Sequence, residues 1–386
     1  MPKALHIPSF SFFKFILNRE LTELYASIAL RFFALSMISI FLPIYLLKEL
    51  NLSIYTVMYF FIVFSIFFAL SAFIGAKIAA RIGFKHIILL SVPFLIAHFL
   101  LLTLLPVVKI PLFLIAILGA FAAGLYWIGH HTDLTRFTKR RARGEEVGLA
   151  FFVMSLAALL GPFVGGMILT FYNFTILFIA VSLLLLVSTI PLFFSKEFYE
   201  RTSFSSKEVF KVGSFKDALA FTGQGIEIGA AGILWPIFIF LILNEYFSLG
   251  LIGTLSGIIV AFSSVIVGKL SDKKGKHFFI RIGAAALASL WFFRTLVKTV
   301  SHVYFVSIFS FIGSIVSVPT DTKAYGKARK SKHVVEYLVF REVFINLGRV
   351  IILLFMLLFA NYIAAFIFTG IAQALFDVMN IELSKE

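Results

Sequence analysis

Long apolar stretches alternate with short polar segments along almost the whole chain of 386 residues. Each stretch has roughly the 20 mostly apolar residues that a helix needs to cross a bilayer. The pattern therefore predicts an all-α membrane protein with twelve transmembrane helices, six in each half of the chain. The predicted spans cover residues 24–47, 54–79, 87–107, 110–130, 147–171 and 174–194, then 217–243, 249–268, 278–297, 303–318, 334–359 and 362–379.

A polar segment at residues 195–216, rich in Ser, Lys and Glu, divides the spans into two groups of six. We expect an N-terminal half at 1–194, a linker at 195–216 and a C-terminal half at 217–386. Matching residues at similar offsets indicate a repeated six-helix unit, so the halves are expected to be pseudo-symmetric. The pairs are Gly83 with Gly275 (275 − 83 = 192), Pro43 with Pro236 (236 − 43 = 193) and Asp133 with Asp321 (321 − 133 = 188).

The composition supports a membrane location. With 61% hydrophobic and 14% charged residues and a mean hydropathy of +1.03, the chain lies outside the range of soluble globular proteins. The net charge is +15, but Lys and Arg lie in short segments between the apolar stretches, which favours lipid headgroups over nucleic acid. Their distribution predicts a multi-pass protein of the plasma (cytoplasmic) membrane with both termini cytoplasmic. Lys48, Lys109, Arg294 and Lys298 would then lie in outer turns.

A basic turn follows the predicted eighth span, with the pattern Gly268-x-x-x-Asp272-Lys273-x-Gly275-Lys276. It resembles the signature that the major facilitator superfamily carries between the second and third spans of each half. The first-half copy departs from it, with Ala80 where Asp is usual. The resemblance implies a monomeric secondary transporter whose halves rock around a small-molecule site near the midplane. The residues that it assigns to gating in this region are Gly268, Asp272, Lys273, Gly275 and Gly83.

The predicted fifth span carries a run of small residues around a proline. Gly148, Ala157 and Gly161-Pro162-Phe163-Val164-Gly165-Gly166 resemble the antiporter motif of drug/proton exchangers in the same superfamily, with Ala157 replacing a glycine. Small residues let helices approach closely and Pro162 removes one backbone hydrogen bond, so a packing helix fits equally well. The superfamily's arginine motif is missing from the fourth span, which counts against an ordinary drug/proton exchanger. Gly161, Pro162, Gly165 and Gly166 are further gating candidates.

Two charged residues lie deep inside predicted spans, where a charge is costly unless it is paired or hydrated. At 1.5 Å per residue, Arg31 lies ~10 Å into the first span and Glu227 ~15 Å into the seventh. The superfamily resemblance places these spans opposite each other, so Arg31 and Glu227 are expected to approach. Glu227 can carry a proton if its partner and hydration change during transport; a fixed structural pair is the alternative. Gln224, on the same span, is a further candidate for substrate or proton coupling.

The predicted eleventh span has a second polar cluster. Glu342, Asn346 and Arg349 are spaced four and three residues apart, which places them on one helical face, and Arg341 projects differently. The cluster is expected to be either a binding site for a substrate anion or a self-contained network that holds helices together. By the superfamily resemblance, spans one, four, seven and ten line the cavity. Its wall is then expected to include Ser36, Tyr126, Trp235 and Ser314.

Other chemistry lacks support in the sequence. His130 and His131 point about 100° apart on a helix, and no nearby residue completes a tetrahedral metal site. They are expected to be polar residues at the inner edge of the membrane. The chain has no cysteine, and HExxH, Ser-His-Asp and Walker-type patterns are missing. We therefore expect neither an enzyme nor a metal or other cofactor.

The leading hypothesis is proton-coupled export of a small amphipathic or hydrophobic compound by alternating access. It rests on the fifth-span motif and on Glu227. One alternative is an uptake or facilitative carrier for an organic anion or lipid, with Arg31 and Arg349 as charge partners. Another is a non-transporting membrane receptor with this fold. The expected partners are a small-molecule substrate, protons and the lipid bilayer, with no nucleic acid.

Overall fold

The computed structural model describes the backbone of residues 19–137, 143–194 and 203–378, and the side chains of residues 26–132, 156–192 and 203–378. Throughout these ranges the regular structure is helical. The first half contains α1 (Arg19–Ser39, continued by Leu42–Ile44 and Tyr45–Glu49), α2 (Ile54–Ile82), α3 (Phe84–Leu104), α4 (Leu112–Phe137), α5 (Arg143–Phe171) and α6 (Phe174–Phe194). The second half contains α7 (Phe215–Gly229, Ala230–Leu234 and Trp235–Leu243), α8 (Tyr246–Lys274), α9 (Lys276–Arg294), α10 (Val300–Ile308 and Phe311–Lys330), α11 (Val334–Phe359) and α12 (Tyr362–Ala372 and Ala374–Val378).

The helix order agrees with the predicted spans. Within the described ranges, nine helices are long and apolar enough to cross a membrane, and α5 and α12 contribute the shorter apolar segments Leu156–Phe171 and Tyr362–Val378. Together with α9, the nine long helices and these two helices with shorter segments give six helices on either side of the linker. Large apolar side chains point outward, such as Leu358 at 80% and Phe262 at 70% exposure, because lipid rather than water surrounds the helices. The prediction of an all-α, multi-span protein is confirmed.

The sequence repeat is present in the backbone of the turns. Gly83 ends α2 and Gly275 ends α8, with φ angles of 93° and 94°. Side chains with a Cβ atom are disfavoured at such angles, so glycine suits both turns. Asn51 and Asn244 both have a φ angle of 50°, after the first and the seventh span. Their offset is again 193 residues (244 − 51), which extends the repeat to a further pair.

Helices α1 and α7 are interrupted at matching places. Pro43 lies in the short helix Leu42–Ile44, which the π-helical turn Tyr45–Glu49 follows. Pro236 is the second residue after the π-helical turn Ala230–Leu234. Proline has no N–H group and disturbs the preceding turn, and π turns break the regular helical repeat. The last part of α7 contacts Leu42–Ile44, so both interruptions lie where the halves meet.

The two halves meet along two pairs of helices, α2 with α11 and α5 with α8. The turns at Gly83 and Gly275 lie at one end of these helices, together with the linker. We call this the linker end. The turns at Asn51 and Asn244 lie at the other end of the same helices, which we call the opposite end.

The linker packs across both halves at the linker end. Val209, in the short helix Val209–Val212, is fully buried. The ring of Phe210 lies 6.3 Å from that of Phe73 on α2. The N–H of Ser205 donates to the Oε1 atom of Glu336 at the start of α11 (3.0 Å). The described part of the linker is therefore an ordered connection that touches each half.

Candidate functional site

Arg31 on α1 places its guanidinium group over the ring of Tyr126 on α4, 3.7 Å from the ring centroid. Both side chains are buried, at 4% and 3% exposure. The aromatic face attracts the cation through its quadrupole, and Tyr126 also stacks on His130, with 5.4 Å between ring centroids. Helices α1 and α4 therefore hold a positive charge inside the first half.

No carboxylate among the described side chains pairs with Arg31. Within the part of the chain that the structure describes, its Nε and Nη1 atoms are buried and make no hydrogen bond. The groups that act electrostatically on Arg31 and on Glu227 do not include the other residue. The structure thus does not bring these two residues together, because Glu227 faces helices of its own half. A buried charge without a carboxylate partner is costly.

Glu227 on α7 points toward α9 and α12, inside the second half. Its Oε2 atom accepts hydrogen bonds from the indole Nε1–H of Trp291 (2.5 Å) and the amide Nε2–H of Gln373 (3.0 Å). The nearby cation is Arg294, which interacts with Glu227 electrostatically and lies over the rings of Trp235 and Trp291. Arg294 is the last residue of α9 and only 8% exposed. The prediction that it lies in an outer turn is therefore wrong.

Three of the four residues expected to line the cavity make contacts within or between helices in this structure, and their cavity-lining role stays a prediction. Trp235 has its ring 5.8 Å from that of Phe366 on α12, so it faces the interior of the second half. Ser36 on α1 donates to the carbonyl of Phe33 in its own helix (2.8 Å). The Oγ atom of Ser314 lies 2.8 Å from that of Ser263 on α8 and is nearly inaccessible. Tyr126, the fourth residue expected to line the cavity, lies against the guanidinium group of Arg31.

A buried ionic network joins α7, α10 and α11. Arg341 donates to Asp321 through Nη2 and to Glu342 through Nη1, each at 2.8 Å. The Nε2–H of Gln224 on α7 donates to the same Asp321 oxygen (3.1 Å). Although Arg341 and Glu342 start from different faces of α11, the long arginine side chain reaches the carboxylate of its neighbour. Arg341 is therefore the centre of the cluster rather than a residue beside it.

The same face of α11 continues toward the first half. The Nδ2–H of Asn346 donates to the carbonyl of Glu342 (2.9 Å), and the Oδ1 atom of Asn346 accepts from Nη1 of Arg349 (3.2 Å). The Arg349 guanidinium lies 5.5 Å from the ring centroid of Phe68 on α2. Its Nε atom makes no hydrogen bond. Glu342, Asn346 and Arg349 thus form a row that ends at the interface between the halves.

His131 on α4 joins this network to the first half. Its Nδ1 atom lies 2.7 Å from the hydroxyl of Tyr325 on α10. Its Nε2 atom lies 3.5 Å from Oε1 of Glu342 and 3.5 Å from Nη1 of Arg341. His131 is 5% exposed, so it is a buried contact between the halves, and its position at the inner edge of the membrane stays a prediction.

Sequence reasoning missed most of the partners in these clusters. Asp321 could have been identified from the sequence repeat, because its partner Asp133 lies at the same end of the fourth span. The side chain of Asp133 lies outside the described range. Neutral and aromatic partners give no such signal, because these residue types are common in all membrane helices. The residues not singled out as site residues are Asp321, Tyr325, Arg341, His131, Trp291, Arg294 and Gln373.

The glycines of α5 lie where neighbouring helices come closest. A Cβ atom at Gly161 would overlap Ser36, and one at Gly165 would overlap the carbonyl of Met37, both on α1. Gly166 faces α8, where an added Cβ would lie 2.9 Å from the carbonyl oxygen of Tyr246. The motif therefore packs α5 tightly between α1 and α8. Gly148 lies outside the range of described side chains.

The close contact of α5 with α8 is reinforced by hydrogen bonds toward the opposite end. A Cβ atom at Gly250 of α8 would overlap the carbonyl of Pro162. The N–H of Phe163, next to Pro162, donates to the hydroxyl of Thr254 on α8 (3.0 Å). The hydroxyl of Tyr246 donates to Glu49 at the end of the first span (2.6 Å). These contacts close the halves against each other at the opposite end.

The basic turn after α8 is locally stabilised. Asp272 is mostly exposed and pairs with Lys276 within the turn (3.6 Å between Nζ and Oδ1). Lys273 is exposed, and a Cβ atom at Gly268 would meet nothing closer than Val318, at 3.9 Å. The positive φ angle at Gly275 explains why a glycine is present there. A gating role for Gly268, Asp272 and Lys273 stays a prediction. Within the described ranges, no group of three His, Cys, Asp or Glu residues is placed to hold a metal ion.

Residues 24–351 match a family model described as Major Facilitator Superfamily. The chain belongs to the Major Facilitator Superfamily. It therefore belongs to a superfamily of multi-pass membrane transporters, in agreement with the resemblance seen in the basic turn and with the helix order. Membership in the superfamily also gives the interface between the halves its meaning, because these proteins transport by moving one half against the other.

Solved structures of the superfamily share this fold. The human organic anion transporter MFSD10 (TETRAN) has a TM-score of 0.68 at 12% identity, over 94% of this chain and 98% of that one. A POT family transporter in complex with a thioalcohol-conjugated peptide has a TM-score of 0.75 at 13% identity, over 95% and 96%. An uncharacterized protein, YqgE of Bacillus subtilis (strain 168), is 26% identical over 260 residues. That match spans 64% of this chain and 60% of YqgE.

Proposed function

We propose that this major facilitator protein transports a small organic anion, and that Arg31 binds the negative charge of that anion. The observation that carries the proposal is the buried guanidinium group of Arg31, two of whose nitrogen atoms have no hydrogen-bond partner. Burying an unpaired charge is costly, and charged residues inside membrane spans commonly mark substrate pathways. An anionic ligand at α1 and α4 would supply the missing partner.

The charge balance of the other buried arginines supports this assignment. Arg341 contacts two carboxylates, and Arg294 interacts with Glu227. Among the described side chains, Arg31 is the buried cation that lacks a carboxylate partner, and the ring of Tyr126 lies against it. The similar human protein is described as an organic anion transporter. At 12% identity that likeness extends to the fold alone, so the proposal rests on Arg31.

In this proposal the protein works as a monomer of the plasma membrane, with the linker end in the cytoplasm. The positive charge of the turns at that end supports the orientation. Substrate reaches Arg31 by alternate opening of the linker end and the opposite end. Arg349, on the interface side of α11 with a free Nε atom, is the second cation placed to meet the anion.

We expect small organic anions to stabilise the purified protein against thermal unfolding, and Arg31→Gln to abolish the effect. A ligand at 100 times its dissociation constant adds about 2.7 kcal/mol of stability, which corresponds to a rise in Tm of ~5 °C. The measurement is a thermal unfolding series with benzoate, citrate and indole-3-acetate at constant ionic strength. Arg349→Gln is expected to reduce the same rise.

Lys298→Gln is the matched control, because Lys298 is an exposed cation far from Arg31 along the chain. It should keep the full rise in Tm. If none of the anions stabilises the native protein, or if Arg31→Gln retains the native response, the anion proposal is wrong.

A second candidate function is proton-coupled export of a small amphipathic or hydrophobic compound. Glu227 supports it, because the residue is a titratable group inside the membrane whose hydrogen bonds come from Trp291 and Gln373. Movement of α9 or α12 relative to α7 would change these partners, and with them the binding of a proton. The glycine motif of α5 adds no support for a direction of transport, since its glycines are accounted for by packing.

This second candidate predicts lower retention of a lipophilic fluorescent cation in cells that lack their own exporters. A protonophore should restore full retention because it collapses the proton gradient. Glu227→Gln should do the same because it removes the carboxylate that binds the proton. The matched control is Glu245→Gln, which changes an exposed carboxylate in a turn. If the native protein is folded in the membrane and retention does not change, this candidate is left without support and the proposal of anion transport is favoured.

A further inference from the structure

Tyr126 has an unpaired hydroxyl group on the ring that lies against Arg31. Within the described part of the chain, its Oη atom is buried and makes no hydrogen bond, and the same holds for Nε and Nη1 of Arg31. A buried polar group without a partner costs free energy, and such groups are rare in folded proteins. Helices α1 and α4 therefore hold three polar atoms that the oxygens of one anionic group could satisfy together.

The side chains next to this pair are aromatic. The His130 ring stacks on Tyr126, and the half-buried rings of Phe32 and Trp127 meet edge to face, with 6.2 Å between their centroids. The His130 ring lies 5.7 Å from that of Trp127 and 6.1 Å from that of Phe32. Aromatic rings interact favourably with further rings in stacked and edge-to-face arrangements. The surroundings of Arg31 therefore favour a ligand with a flat aromatic body.

The other neighbours of Tyr126 are hydrocarbon side chains. Tyr126 packs in one apolar cluster with Ile88 on α3 and Leu192 on α6, which are 8% and 3% exposed. Among the described side chains, no second arginine or lysine acts electrostatically on Arg31. A second negative charge on a ligand would be buried here without a partner, which is costly. The site therefore favours a ligand that carries a single negative charge.

We propose that the Arg31 site selects an aromatic monocarboxylate, whose carboxylate is bound by Arg31 and by the hydroxyl of Tyr126. The inference rests on the proposed function and narrows its substrate from organic anions in general to this class. Arg31 supplies the positive charge, and Tyr126 donates its O–H to a carboxylate oxygen. Dicarboxylates and sugar phosphates are disfavoured, because their additional polar groups would lose water without gaining partners.

The test compares the dissociation constants of four carboxylates by isothermal titration calorimetry on the purified full chain at constant ionic strength. Benzoate is the reference. Cyclohexanecarboxylate has the same number of carbon atoms without the aromatic ring, terephthalate adds a second carboxylate, and acetate lacks the body. We expect cyclohexanecarboxylate to bind about fivefold more weakly than benzoate, because an aromatic contact is lost. Terephthalate and acetate should each bind at least about tenfold more weakly, because one buries an unpaired charge and the other buries little apolar surface.

Tyr126→Phe removes only the hydroxyl group and keeps the ring against Arg31. It should weaken benzoate binding about tenfold, because a hydrogen bond to a charged group is lost. Two matched controls should keep the native dissociation constant. Tyr59→Phe changes an exposed tyrosine on α2, and Tyr45→Phe removes a buried hydroxyl that donates to the carbonyl of Leu102. Tyr45→Phe should lower Tm without weakening benzoate binding, which separates a loss of stability from a loss of the site.

Binding of terephthalate or acetate as tight as that of benzoate overturns the proposal, as does an unchanged benzoate affinity in Tyr126→Phe. The comparison of the four carboxylates needs no variant, so it decides the substrate class even if Tyr126→Phe does not fold. If carboxylates bind without preference for benzoate and Arg31→Gln abolishes their binding, the anion proposal stands while the selection of an aromatic monocarboxylate fails. If no organic anion binds the native protein, both proposals fail.

Discussion

Replacement of Arg341 by methionine is expected to lower the Tm of the purified protein by about 10 °C, since breaking a buried ion pair typically costs about 3–5 kcal/mol. The substitution keeps an apolar stem of similar length but leaves Asp321 and Glu342 without their cation. Glu342 is 4% exposed, so water replaces little of the lost interaction. The measurement is thermal unfolding in detergent.

Two matched variants separate the loss of charge from the loss of packing. The triple change Arg341→Met, Asp321→Asn and Glu342→Gln removes all three charges and should recover most of the lost stability, because neutral replacements of a buried ionic network are often tolerated. Arg281→Met breaks the exposed pair of Arg281 with Asp377 and should change Tm little. A Tm of the single Arg341 variant equal to that of Arg281→Met would contradict the prediction.

Gly250→Ala is expected to push the halves apart at the opposite end. The added Cβ atom would overlap the carbonyl of Pro162 on α5, and a helix backbone has no side-chain rotamer with which to yield. Overpacking of this kind costs about 1–3 kcal/mol. The hydrogen bond from Phe163 to Thr254 should weaken with it. The state that is open at the opposite end should therefore become more populated.

Spin labels at Lys48→Cys and Lys298→Cys, two exposed positions in turns of opposite halves, would report this change as a longer distance. Gly313→Ala on α10 is the matched control, because an added Cβ there meets no atom within 4 Å. It should leave the distances as they are. An unchanged distance in Gly250→Ala would show that α5 and α8 can shift without opening.

The two ends of the interface are closed by different kinds of contact. Buried ions and a histidine join the halves at the network around Arg341, whereas glycine packing and neutral donors join α5 to α8 toward the opposite end. Ionic contacts respond to protons and to charged ligands, and close packing does not.

The repeat was the part of the site region most accessible from the sequence. Gly83 and Gly275 adopt nearly the same backbone angles, because a tight turn between two spans imposes the same steric requirement in each half. The same repeat pairs Asp321 with Asp133 by residue spacing alone. By contrast, Arg294 was assigned to an outer turn, since one charge at the end of an apolar stretch does not reveal that its side chain points inward.

The order of residues was enough to predict a helical membrane protein of repeated halves that resembles a transporter family. A bilayer leaves backbone groups no partners except those within a helix, so the lengths of the apolar stretches report the spans directly. The pairing of the buried charges, in contrast, depends on how the helices pack. Glu227 meets Trp291 and Gln373 rather than Arg31, because the rotation of each helix about its axis depends on all its neighbours. That rotation leaves Arg31 without a described carboxylate and places His131 between the halves.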